Sequence, residues 1–232
     1  MRTLVRTIMA GAVIALAATA TGETANAAAC AATTLDNYLT PGFSCTIGDK
    51  TFSGFSYSPT ATGTGVASPA TSVSVMPLGA PAYGFTFTGI WNSGTDGTGD
   101  AGLDYTVSTT SGLPLINSAA LSLVGALTGT GATGTVGETV CETPGCTTAD
   151  LLSVSLAGPA SDSVDPLSSG PVASVMIMKN IDSMSGAGGS TASISVVRNT
   201  VDQTTIPEPA SMVLLGSALL GLGAMRRRRK SA

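Results

Sequence analysis

Closely spaced aspartates are the side chains with the clearest potential for chemistry in this 232-residue sequence. Asp96, Asp100 and Asp104 occur in the segment DGTGDAGLD, where glycines are interspersed among them. Such a segment can wrap carboxylate and backbone oxygens around a calcium ion. It also suits a plain turn, because Asp and Gly tolerate positive φ, and it matches no EF-hand loop. We therefore expect a turn, with calcium as the weaker alternative and no other metal or cofactor.

A second acidic pair, Asp162 and Asp165, lies in a short segment bounded by Pro159 and Pro166. Two carboxylates can hydrolyse glycosides when they stand about 5–9.5 Å apart across a cleft that holds the sugar. Solvated loop acids are the commoner explanation of such a pair. The chain contains no histidine, which excludes Ser-His-Asp and Cys-His catalysis and most catalytic zinc sites. The sequence therefore predicts that the protein is not an enzyme, and a glycosidase is the least favoured alternative.

A run of aromatic residues leads to the single tryptophan of the chain. Tyr83, Phe85 and Phe87 alternate with small residues toward Trp91. These rings could stack on sugars, which would make the protein a carbohydrate-binding or adhesive module. Aromatic residues in an alternating run are more typical of cross-strand pairs in a core, and that is the prediction here.

The segments between these residues have apolar side chains at every second position. Examples are Leu103, Tyr105 and Val107, separated by polar residues, and Leu121 with Leu123. Clusters of Gly, Pro, Asn or Asp separate many such runs, which indicates a mainly β protein with a single antiparallel β-sandwich or barrel-like domain. A short helix is expected at residues 34–39. Two Gly/Thr-rich stretches, residues 60–65 and 125–137, are interpreted as loops or hairpin tips.

Four cysteines indicate two disulfide bonds in an oxidising compartment. The cysteines are Cys30, Cys45, Cys141 and Cys146. Three connectivities are possible, and the pairing of sequence neighbours is favoured because a Pro-Gly turn lies between the last two cysteines. A four-cysteine zinc site is disfavoured by the spacing and by export.

The N-terminus has the layout of a secretory signal peptide. Arg2 and Arg6 precede an apolar stretch at residues 8–18, and Ala25 and Ala27 form a small-x-small cleavage site. We expect residues 1–27 to be removed by signal peptidase after passage through the Sec machinery. The exported body is then predicted to be residues 28–205.

The C-terminus has three parts in a fixed order. The triplet Pro207, Glu208 and Pro209 precedes an uncharged apolar segment, residues 210–225. As a helix this segment would be roughly 24 Å long, which is short against a hydrocarbon core of about 30 Å. The segment ends at five basic residues, Arg226, Arg227, Arg228, Arg229 and Lys230. Because cations stay on the cytoplasmic side, we predict a transmembrane helix in the inner membrane with the triplet presented outside.

These parts, over residues 206–230, closely resemble the PEP-CTERM sorting domain of Gram-negative bacteria. The resemblance implies that exosortase, an integral-membrane enzyme, recognises the signal and removes the tail at or near the triplet. It further implies a protein that is transiently anchored and then reaches the cell surface or the extracellular space. Exopolysaccharide and biofilm matrix are the associated surroundings.

The charge of the body differs from that of the whole chain. Between Cys30 and Thr205 there are twelve acidic and three basic residues, a net charge of −9, whereas the whole chain has −4. Nucleic acid is excluded as a partner because phosphate binding requires clustered Lys and Arg. The prediction is a structural or matrix-associated protein of unknown activity, with carbohydrate binding or assembly through exposed edge strands as alternatives.

Overall fold

The computed structural model describes residues 27–110 and 114–204. These residues contain one four-residue α-helix, α1 (Leu35–Tyr38), and fourteen β-strands. The strands are β1 (Ala28–Ala29), β2 (Thr33–Thr34), β3 (Ser44–Ile47), β4 (Lys50–Thr62), β5 (Val66–Ala67), β6 (Ser74–Leu78), β7 (Tyr83–Asn92), β8 (Thr98–Thr109), β9 (Ile116–Thr128), β10 (Thr133–Cys141), β11 (Ala149–Ser155), β12 (Ser161–Val164), β13 (Ser174–Met184) and β14 (Thr191–Gln203). The predicted signal peptide up to residue 26 and the predicted sorting signal, 206–230, lie outside the described residues.

Two seven-stranded sheets form a sandwich. The first sheet has the strand order β1-β3-β4-β8-β13-β10-β11. The second sheet has the order β12-β9-β14-β7-β6-β2, with β5 paired to β7. Strand pairs are antiparallel apart from the short parallel pair of β1 and β3. The prediction of a mainly β, sandwich-like fold is confirmed.

Strict alternation along the central strands builds the core between the sheets. In β8, Leu103, Tyr105 and Val107 are at most 1% exposed, while their neighbours face outward. In β14 the register shifts between Ile194 and Val196, which marks a β-bulge. Since one extra residue changes the phase of a strand, Val197 rather than Val196 continues the buried face. The alternation expected from the sequence is therefore interrupted at this point.

Seven aromatic residues form one continuous cluster of ring contacts between the sheets: Tyr38, Phe43, Phe52, Phe55, Phe85, Phe87 and Tyr105. The ring centroids of Phe52 and Phe85 lie 4.8 Å apart, and those of Phe55 and Tyr105 lie 5.2 Å apart. Helix α1 contributes Tyr38, which is 1% exposed and donates a hydrogen bond to the Ala31 carbonyl at 2.6 Å. The edge-to-face pair Phe52–Phe85 and the stacked pair Phe55–Tyr105 add stability beyond the area they bury.

The Gly/Thr-rich stretches are only partly loops, which adjusts the sequence-based interpretation: residues 60–62, 125–128 and 133–137 belong to β4, β9 and β10, and residues 63–65 form the turn after β4. Only the turn at residues 129–132 separates β9 from β10. Gly125 is needed for close packing, because a Cβ there would lie 2.2 Å from the backbone oxygen of Ser193. Glycine in a strand thus marks close approach of a neighbour here.

Two disulfides tie local segments together. Cys30–Cys45 joins the N-terminal segment to β3, and Cys141–Cys146 closes the turn after β10. Gly145 in that turn has φ of 75°, a left-handed conformation that glycine adopts readily. The prediction of disulfides is confirmed, and the structure has the local connectivity.

Candidate functional site

The end of β14 is where the described fold meets the C-terminal segment. This strand lies between β9 and β7 and forms backbone hydrogen bonds on both sides. Its last residue, Gln203, is paired with Ile116. The Thr204 amide donates to the Leu115 carbonyl at 2.9 Å. The chain is therefore held in the second sheet up to the residue directly before position 205.

A buried lysine locks this end of the strand. Lys50 is fully buried at the start of β4 in the first sheet. Its ammonium donates to Gln203 Oε1 at 2.7 Å and to the Pro114 carbonyl at 3.3 Å, and it pairs with Asp49 at 2.9 Å. It also lies 5.4 Å from the centroid of the Tyr83 ring. Lys50 thus connects the first sheet to the C-terminal end of β14 in the second sheet. We call Lys50 and its partners Asp49, Pro114 and Gln203 the junction lock.

Asp162 and Asp165, the acidic pair noted in the sequence, accept hydrogen bonds from different neighbouring residues. Asp162 accepts hydrogen bonds from the Ser153 amide at 2.9 Å and the Ser163 amide at 2.8 Å. Asp165 accepts one from Asn117 Nδ2 at 2.9 Å. These contacts give each carboxylate a separate role in positioning backbone or amide groups. They offer no support for a shared acid–base role.

The three aspartates that the sequence offered as a weaker calcium alternative are not brought together. Asp96 accepts hydrogen bonds from the Thr64 hydroxyl at 2.6 Å and the Thr64 amide at 3.0 Å, and the hydroxyl bond is the main cause of its lowered pKa. Asp100 and Asp104 instead lie within β8, where Asp104 accepts from Ser56 Oγ at 2.9 Å. Within residues 27–110 and 114–204, no three acidic, Cys or His side chains are grouped closely enough to hold a metal ion.

Trp91 belongs to the core. It has 0% exposed surface, and its indole Nε1 donates to the Tyr57 hydroxyl at 3.1 Å. That hydroxyl donates in turn to the Ser68 carbonyl at 2.6 Å. Phe85 and Phe87 are also fully buried. Sugar stacking on Trp91, the alternative considered from the sequence, is wrong because the ring has no surface to offer a ligand.

Sequence reasoning missed a group of four polar side chains between the sheets. Tyr105, Glu138 and Lys179 come from β8, β10 and β13 of the first sheet, and Asn199 comes from β14 of the second. All four are at most 3% exposed. We call them the buried polar cluster.

Burial controls the protonation of this cluster. It raises the pKa of Glu138 and lowers the pKa of Lys179, and the attraction between the two charges opposes both shifts. Burial also raises the pKa of Tyr105 well above its ordinary value, with a smaller contribution from the Glu138 charge. Desolvation favours the neutral form of each group. The cluster is therefore a place where an amine and a carboxylic acid can exchange a proton.

The segment that follows the junction lock resembles a known protein-sorting motif. A family model described as "PEP-CTERM protein-sorting motif" matches residues 205–229. The chain carries a PEP-CTERM sorting motif. The motif begins at the residue that follows Thr204, so the sorting signal is attached directly to the central strand of the second sheet. The prediction from the sequence is confirmed, and the motif implies an exported protein processed by exosortase.

Other comparisons concern the β-sandwich. No curated protein matches the chain. One similar solved structure is TmCBM61 in complex with β-1,4-galactotriose, with 10% identity and a TM-score of 0.35 over 64% of this chain and 88% of that chain. Another comes from work on the promiscuous specificity of carbohydrate-binding modules of the β-sandwich superfamily, with 15% identity and a TM-score of 0.28 over 66% of this chain and 57% of that chain.

No helix in the described part of the chain is long and apolar enough to cross a membrane. The apolar segment predicted to do so, residues 210–225, lies outside that part. The basic residues Arg226 to Lys230 also lie outside it.

Proposed function

We propose that this protein is a non-catalytic, exported β-sandwich that exosortase cuts at or next to Pro207–Glu208–Pro209, after transient anchoring in the inner membrane. The observation that carries the proposal is the sorting motif at residues 205–229, attached to the end of β14. After processing the body acts at the cell surface or in the extracellular matrix.

The short connection between fold and triplet supports this order of events. Three residue steps separate Thr204 from Pro207, and an extended chain spans at most about 3.6 Å per residue, or roughly 11 Å in total. Before processing, the folded body must therefore lie close to the membrane surface. Its net charge of −9 opposes contact with anionic headgroups over about one Debye length, roughly 8 Å at physiological salt. Cleavage at the triplet would relieve this repulsion and favour release.

The chemistry of the body suits an extracellular, structural role. Two disulfides close local segments and are suited to an oxidising environment. The outward positions of β4 and β10 are mostly Ser, Thr and Gly, which give a hydrated surface with few charges. Such a surface is compatible with a hydrated exopolysaccharide matrix, which we propose as the surroundings of the mature protein.

Fractionation of the producing cells tests the sorting proposal. The wild-type protein is expected in the surface or culture fraction, and a Pro207→Ala/Pro209→Ala variant is expected to accumulate with the inner membrane. Pro171→Ala, a change at an exposed proline of the body, is the matched control and should distribute like the wild type. Equal distribution of the triplet variant and the control would refute recognition at the triplet. Enzymatic removal of exopolysaccharide should release surface-bound protein, and unchanged retention would refute the matrix association.

A further inference from the structure

The buried polar cluster contains an amine, a carboxamide and a carboxylic acid with no access to solvent. Lys179 and Glu138 are 3% and 2% exposed, and Asn199 is 1% exposed. A buried ion pair contributes little net stability, because desolvation of two charges offsets their attraction. The cluster therefore calls for a role other than simple stabilisation of the core.

Glu138 lies between the amine and the carboxamide. Its Oε2 is 2.8 Å from Lys179 Nζ, and its Oε1 accepts a hydrogen bond from Asn199 Nδ2 at 2.8 Å. Apart from this ion pair, Oε2 has no hydrogen-bond partner among the described residues. One carboxyl group thus touches both the nitrogen that could attack and the nitrogen that could leave.

Tyr105 completes the arrangement from the opposite side. Lys179 Nζ donates to the Tyr105 hydroxyl at 3.4 Å, and this hydroxyl donates to Asn199 Oδ1. Asn199 Nδ2 also donates to the Ala120 carbonyl at 3.0 Å, which fixes the plane of the carboxamide. The amine and the carboxamide are therefore held by the same two neighbours, Glu138 and Tyr105.

We propose that Lys179 and Asn199 react to form an intramolecular amide bond across the sandwich. The Nζ–Cγ bond forms, the Cγ–Nδ2 bond breaks, and Nδ2 leaves as ammonia. Starting from the ion pair, Glu138 takes one proton from the Lys179 ammonium, and the neutral amine attacks Cγ. Glu138 passes that proton to Nδ2 and takes the second proton that Nζ loses, so it ends protonated. No oxidant, reductant or metal is required.

The surroundings of Lys179 and Asn199 favour formation of the amide bond. Desolvation favours the neutral amine and the protonated acid, the two forms that the attack requires. The Tyr105 hydroxyl points at Oδ1, the atom on which negative charge develops. Fixed proximity replaces a bimolecular encounter, and exclusion of water protects the product from hydrolysis.

The proposed bond would connect the two sheets. Lys179 lies in β13 of the first sheet, and Asn199 lies in β14 of the second, the strand that leads into the sorting motif. An amide between them would join the sheets covalently at the strand that carries the tether. The proposal concerns residues 28–204 alone and does not depend on where the tail is processed.

Mass spectrometry of the mature protein purified from the producing organism tests the bond. After reduction of both disulfides, the protein is expected to be lighter than its sequence by the mass of one ammonia. A protease digest should contain one branched peptide that joins the Lys179 segment to the Asn199 segment. A succinimide at an asparagine would give the same mass without a branch, so the branched peptide decides. Linear peptides from both segments, with no branched species, would overturn the proposal.

Variants separate the bond from a purely structural cluster. Glu138→Gln keeps an acceptor for Asn199 Nδ2 but cannot take the proton, so the full mass and linear peptides are expected. Lys179→Met should also retain the full mass, whereas Lys50→Met, which changes the other buried lysine, should still lose ammonia. Formation of the branched peptide in Glu138→Gln at the wild-type rate would overturn the role of Glu138. The wild-type digest decides the proposal even if the cluster variants fail to fold.

Discussion

Replacement of Lys50 by methionine tests the junction lock. Methionine keeps most of the side-chain volume and removes the ammonium, so Gln203 Oε1 and the Pro114 carbonyl lose their donor. A hydrogen bond from a charged donor is worth about 1.5–3 kcal/mol. The pair with Asp49 adds less, because the Asp49 side chain is 27% exposed and screened by solvent. Removing the cost of burying the ammonium offsets part of the loss, which leaves an expected destabilisation of about 3 kcal/mol.

The assay is urea unfolding of the purified exported protein with its disulfides intact. Trp91 is the single tryptophan and is fully buried, so its fluorescence reports the transition. For a domain of this size, 3 kcal/mol corresponds to a fall in Tm of roughly 10 °C. Arg198→Met is the matched control, because it removes one positive charge from an exposed position of β14. Equal transition midpoints for Lys50→Met and Arg198→Met would show that the buried Lys50 ammonium stabilises the fold no more than an exposed charge does.

Three further predictions concern the rest of the sandwich. Tyr57→Phe leaves the Trp91 indole and a backbone carbonyl without their partner and should cost about 1–3 kcal/mol; an unchanged urea midpoint would contradict it. Burial, with a smaller contribution from Asp100, raises the pKa of Asp182, so stability is lost as pH rises through that pKa. Asp182→Asn should therefore gain about 0.5 kcal/mol at neutral pH and nothing in acid, and a gain that is independent of pH would count against this cause. Replacing both cysteines of Cys30–Cys45 by serine should cost about 3 kcal/mol for a loop of 15 residues, and retention of the wild-type midpoint would show that the disulfide contributes little.

Local patterns in the sequence predicted much of the architecture. Alternation at Leu103, Tyr105 and Val107 places these side chains on one face of a strand, and the structure buries all three. The core position of Trp91 followed from the same alternation. The turn at Gly145 followed from a Pro-Gly pair between close cysteines. In each case the information lies within a few residues of the chain.

The sequence around Glu138 and Lys179 contains a local signal for the buried polar cluster. Glu138 lies between Val136 and Val140, and both valines are fully buried. Lys179 lies in the same way between Ile177 and Ile181. Since side chains at i and i±2 share a face of a strand, both charges had to face the core. Met176, on the opposite face of β13, is 41% exposed.

The junction lock could not be predicted from the sequence. Lys50 and Gln203 are 153 residues apart, and their contact depends on which strands lie at the centre of each sheet. The bulge in β14 could not be predicted either, because the residues around Ile194 do not indicate an extra residue in the strand. Strand order and register arise from packing over the whole sandwich, which local periodicity does not determine.

We infer that the body is exported and separated from its tail. Intact mass spectrometry of the native protein, isolated from the surface and culture fractions, measures this most directly. We expect a main species that starts at Ala28 and lacks residues 210–230, with its C-terminus at or next to the Pro207–Glu208–Pro209 triplet. A main species that still contains residues 210–230 would mean that the tail is not removed and that the apolar segment is a permanent anchor.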